Sequence, residues 1–96
     1  MPCRQLPPEL AGKIVYAAHH MMPGLQLTPK YVDERLPDVQ EFLSQGSGWL
    51  FTAEAEARGH KKLISIHIED PEMLKQVEPF LQMVNDMVQR LKTEFR

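Results

Sequence analysis

The clearest pattern in this chain is an alternation. Phe51, Ala53, Ala55 and Ala57 alternate with Thr52, Glu54 and Glu56. After Gly59-His60, Ile64, Ile66 and Ile68 alternate with Leu63, Ser65 and His67. Period-two alternation marks strands with one buried face. The break at Gly59-His60 reads as a two-residue turn of type II′, whose first central position favours glycine. The expected hairpin has strands at about 50–57 and 62–68. Its expected register sets Ala57 against Lys62, Ala55 against Ile64, Ala53 against Ile66 and Phe51 against Ile68. On the other face it sets Glu54 against Ser65 and Thr52 against His67.

Elsewhere the apolar positions recur at helical spacing. Leu10, Ile14, Ala17, Ala18 and Met21 form one stripe, opened by Pro8-Glu9 and closed by Met22-Pro23-Gly24. Lys13-Ile14-Val15-Tyr16 also suits a strand. Thr28-Pro29 reads as a helix start, and Pro37 divides the next segment into a turn at 29–35 and a helix at 37–45. Asp70-Pro71-Glu72 is a third start signal, with Pro79 forcing a restart before a long helix to about residue 94. The expected fold is α+β, in the order α-α-β-β-α. If 13–18 is a strand, the order becomes β-α-β-β-α, which resembles a ferredoxin-like pattern without its last strand.

Composition narrows the class. The 96 residues are 43% hydrophobic and 25% charged, enough for a single small globular domain, with 1–8 Pro-rich and extended. A net charge of −2 disfavours nucleic-acid binding by overall charge. Cys3 is the only cysteine, so no disulfide can form within the chain. No apolar run is long enough for a membrane span, and the start lacks a secretory signal. The cytosol is the expected location.

No motif assigns an activity. His19-His20 are adjacent, and a helix points neighbours about 100° apart, so they make a poor metal pair. No Cys/His ligand spacing and no Gly-rich phosphate loop occurs, so neither metal nor cofactor is expected. His67 and Glu69 share a strand face and are the candidate catalytic pair, as base and supporting carboxylate. Thr52 and Glu54 would join them in a weak ligand face; a solvated outer sheet face accounts for the same residues. Arg58, Lys61 and Lys62 make a basic hairpin tip that could touch phosphate, without aromatic residues beside it for base stacking.

A two-stranded sheet is marginal alone and leaves open edges. A third strand from the N-terminal segment would relieve this. So would a second copy, meeting the first at the sheet edge or along the stripe Phe80, Val84, Met87 and Leu91. The leading expectation is a non-enzymatic, homodimeric protein–protein interaction or regulatory module. Small-molecule binding or catalysis on the hairpin's polar face is the second, and nucleic-acid contact at the basic tip the third.

Overall fold

The structure, a computed structural model, describes residues 3–95; Met1, Pro2 and Arg96 lie outside it. Eight elements succeed one another: β1 (Arg4–Gln5), α1 (Pro8–Met21), β2 (Gln26–Pro29), α2 (Pro37–Ser44), β3 (Trp49–Ala57), β4 (His60–Ile68), a 3-10 turn (Pro71–Lys75) and α3 (Val77–Glu94). The α+β class expected from the sequence is the class observed.

The stretch 13–18 is helical, not a strand. Three residues one or two turns apart, Ala11, Ile14 and Ala18, bury one face of α1. Met22 ends the helix by donating its N–H to the Ala18 carbonyl, and Pro23 comes next. At the other end of the chain Asp70 caps the 3-10 turn, its carboxylate accepting from the Glu72 N–H at 3.0 Å. Pro79 lies in the first turn of α3, where a missing N–H removes no intrahelical bond, so the helix starts before it rather than after it.

β3 is the hub of a four-stranded mixed sheet. β4 pairs antiparallel along the whole of one edge. The other edge is shared: β1 runs parallel beside Trp49 and Leu50, and β2 runs antiparallel beside Ala53 to Glu56. The expectation of a helix starting at Thr28-Pro29 is corrected, because these residues end β2. Leu25 and Leu27, at 2% and 7% exposure, show the period-two burial of a short strand. Pro29 stands opposite Ala53, whose N–H and C=O turn toward β4, so the missing proline donor interrupts no ladder bond.

The hairpin register also differs from expectation. Ala57 pairs with His60, Ala53 with Ile64 and Phe51 with Ile66. The turn is therefore Arg58-Gly59, with φ of 52° and 79° at the two residues. Two successive positive φ values make a type I′ turn, whose twist matches that of the strands. The pairing slips by two residues, so every side chain keeps its face and changes its partner.

The buried face of the sheet carries Phe51, Ala53, Ala55, Ala57 and Ile68. With α1 and α3 they form one core that includes Leu6, Ile14, Val84, Val88 and Leu91. The alanines keep this face low, so two helices can lie over it. α2 stands over the opposite face, beside Leu50, Thr52 and Ser65. Only Leu43 of that helix is buried.

Candidate functional site: an open sheet edge and an outer-face cleft

Among the described residues β4 has one neighbouring strand, β3. Within a hairpin closed by the Ala57–His60 pair, alternate residues of β4 turn their backbone groups inward to β3. The intervening ones, Lys61, Leu63, Ser65 and His67, turn theirs outward. Among the described residues no backbone group meets them. Nine residues of strand thus present an open ladder.

The side chains along this edge are equally unfinished. Phe51 and Ala53 are buried at 2% and 0% exposure, but their partners Ile66 and Ile64 are half-buried. Among the described residues no further strand lies beyond them. Leu63 is 65% exposed on the other face. Beneath the edge runs a groove of about 160 Å3, between Ile64 and Ile66 of β4 and Met87, Arg90, Leu91 and Glu94 of α3. It continues past Met83 and Asp86.

The usual protections of an edge strand are charged side chains, lysine above all, prolines, bulges and inward-pointing charges. β4 carries two lysines near the hairpin turn, Lys61 and Lys62. Residues 63–68 have none of these protections, and pair without a break. The lysines sit at the tip and are already engaged. Lys61 lies 4.0 Å from Glu54 and 3.9 Å from Glu56, and Lys62 lies 3.4 Å from Glu94. Arg58 donates to the Phe95 carbonyl at 3.3 Å. The basic tip is thus balanced by the chain's own acceptors, which weakens it as a phosphate contact.

Of the other expected sites, the α3 stripe is the most enclosed. Val84, Met87 and Leu91 are buried and Phe80 is half-buried, all packed within this chain's own core. The stripe has little left to offer a second copy directly; only the margin of α3 beside β4 does. The polar quartet does not assemble. His67 stands opposite Leu50 and donates from Nε2 to the Ser47 carbonyl. Glu69 falls beyond β4, and no hydrogen bond joins it to His67 among the described residues. Glu54 is turned to Lys61. Thr52 meets Ser65 instead, with 3.4 Å between their hydroxyl oxygens.

The Thr52–Ser65 pair lies in a feature the sequence did not announce. α2 stands off the outer sheet face and leaves a cleft of about 250 Å3. Val39 and Phe42 form one wall and the two hydroxyls are part of its lining, as are Lys30 and Asp38. Gln5 fastens the rim by two bonds to Val32, donating to its carbonyl at 2.7 Å and accepting from its N–H at 2.8 Å. The signal was present as an amphipathic stripe, Val32, Leu36, Val39 and Phe42, too long for the single buried Leu43 to satisfy.

Cys3 is 5% exposed, and its burial pushes the thiol above its usual range; the Arg4 carbonyl accepts its hydrogen at 3.9 Å. No group of three or more His, Cys, Asp or Glu is arranged to hold a metal ion among the described residues. No helix of the described residues is long and apolar enough to cross a membrane. Comparison with protein-family models, with curated proteins and with solved structures found no match.

Proposed function

We propose that this chain is a self-associating interaction module, in which β4 pairs antiparallel with β4 of a second copy across a two-fold axis. The observation that carries the reading is the uninterrupted edge of β4 over residues 63–68, which carries no lysine, proline or bulge and has half-buried Ile64 and Ile66 on its inner face. Pairing two such edges supplies the missing ladder bonds, about two for each facing pair of outward-turned residues. It also covers the isoleucines and sets two copies of the α3 margin side by side.

The charges on that margin suit a two-fold. Asp86 and Arg90 lie one turn apart on α3, and both line the groove. Glu94 on the same margin is already paired with Lys62, and the acid and base that remain are complementary to their own copy run in the opposite direction. A single-signed margin would repel its twin. The module acts through the continuous sheet so formed, in the cytosol, where Cys3 stays a thiol.

The test is solution mass by light scattering across a concentration series. Wild-type protein is expected at twice the chain mass. Ser65→Pro removes an outward N–H without touching a bond to β3, and is expected to give a folded monomer. A wild-type monomer at all concentrations, or a Ser65→Pro protein that still dimerises, overturns the reading. Association with a strand of another protein in place of the second copy would appear as a monomer that gains mass only with that partner present.

A further inference from the structure

The geometry points to a second, separate site: the outer-face cleft takes a small zwitterion with an apolar body, the chemistry of a free aliphatic or aromatic α-amino acid. It does not depend on the pairing of β4.

Size sets the first limit. About 250 Å3 falls just below the range of roughly 300–1,000 Å3 in which drug-sized molecules are bound. The occupant is therefore a small metabolite rather than a nucleotide or a peptide. The lining sets the second. Phe42 is 61% exposed although it lines a concave surface with Val39 and Leu50. An exposed aromatic ring there is a wall awaiting an apolar group.

Charge sets the third limit. Lys30 enters from the sheet side, just past β2, its own N–H donating to the Thr52 carbonyl at 2.8 Å. Asp38 lines the same cleft from the first turn of α2. Neither takes part in an ion pair among the described residues, and both line the cleft. A simple carboxylate would satisfy Lys30 and be repelled by Asp38. A simple amine would do the reverse. A ligand bearing both groups on one carbon uses both residues. The Thr52 and Ser65 hydroxyls, 3.4 Å apart, belong to the same lining and can each donate or accept a hydrogen bond. Exposed ion pairs contribute little, so the affinity is modest, with a dissociation constant on the order of a millimolar.

The experiment is an amide chemical-shift titration of the full chain with L-leucine. Two half-ligands serve as controls: 4-methylpentanoate, lacking the ammonium, and 3-methylbutylamine, lacking the carboxylate. The expected result is saturable shifts at Val39, Phe42, Thr52 and Ser65, with each half-ligand several-fold weaker. L-phenylalanine is expected to behave as leucine does. Lys30→Met and Asp38→Asn, both exposed and outside the core, are each expected to weaken leucine about three- to tenfold while leaving the spectrum's dispersion intact. Absence of saturation by either amino acid overturns the inference. So do half-ligands that bind as tightly as leucine, or leucine shifts that persist unchanged in both variants. Oligomer mass is read separately, so failure here leaves the pairing of β4 untouched.

Discussion

Two glycines with similar backbone angles separate two kinds of constraint. Gly59 has φ of 79°, and a Cβ built there meets nothing within 4 Å. Gly48 has φ of 84°, and a Cβ there would lie 2.2 Å from the Ile68 carbonyl oxygen and 2.9 Å from that of Glu69. Gly59→Ala is thus expected to cost about 1 kcal/mol, from backbone strain alone. Gly48→Ala adds a collision with backbone that cannot step aside, and is expected to cost about 3 kcal/mol or more. Chemical denaturation of the two variants checks the ordering. Equal losses would show that the approach of Gly48 to the Ile68 carbonyl is not tight. The need for glycine at position 59 is visible in the local sequence as a turn signal, whereas the close approach of Gly48 to β4 is not.

Cys3 gives a residue-scale prediction with a definite sign. Burial raises its folded-state pKa, so the folded state favours the neutral thiol. Stability from this group is complete below the unfolded thiol pKa and falls as pH rises toward the folded value. Alkaline loss of stability is therefore expected to be smaller in Cys3→Ala than in wild type, measured by urea melts on both sides of the thiol range. Native Cys3 is also expected to react with a disulfide reagent far more slowly than the unfolded chain does.

Among elements, those defined by a periodic apolar face were legible and those defined by a partner were not. α1, α2 and α3 are given by spacing and by prolines at their starts. The hairpin is given by alternation. Its register is not, because a slip of two leaves both faces unchanged; only the turn decides between the two pairings. Gly59 fits the first position of a II′ turn and the second of an I′ turn equally well, and the structure takes the second at the cost of a positive φ at Arg58. β1 and β2, with two and four residues, carry too little pattern to declare themselves. Thr28-Pro29 had the grammar of a helix start, but neighbouring β3 had room for a strand. The consequence for the site was direct. A polar cluster built on the wrong pairing put His67 beside Thr52, where Ser65 stands. At this scale Phe51→Ala, on the core face at 2% exposure, is expected to cost about 3–5 kcal/mol. A thermal melt reads this as a fall of tens of degrees, on a scale of roughly 4–8 °C per kcal/mol.

On the scale of the whole molecule, the inner face is closed and the outer boundary is not. Ile64→Lys places a charge on the half-buried inner face at the open edge. In a lone copy the lysine can lean outward, so the loss of stability is expected to stay near about 1 kcal/mol. Between two copies, the two-fold would set it close to its own twin, and dimer mass is expected to fall to that of one chain. Concentration-dependent light scattering with a parallel melt distinguishes this from unfolding. The edge itself was legible from the sequence, since a two-stranded sheet must find something more. β1 and β2 cover one side of β3, but among the described residues no strand covers the far side of β4.

The hub position of β3 bears on how the chain is made. Among the described residues every other strand pairs with β3 and none with another. β1 and β2 both precede it, and so does α1, whose core partners include α3 at the far end. A chain emerging N-terminus first therefore carries its earliest strands without a template until Trp49–Ala57 has been made. The hairpin is the first tertiary pairing that needs only adjacent residues, and short loops close fastest. Synthesis order and the assembly order expected from loop length thus run opposite to each other: the second half of the chain is built last and is expected to set the frame onto which the first half folds back.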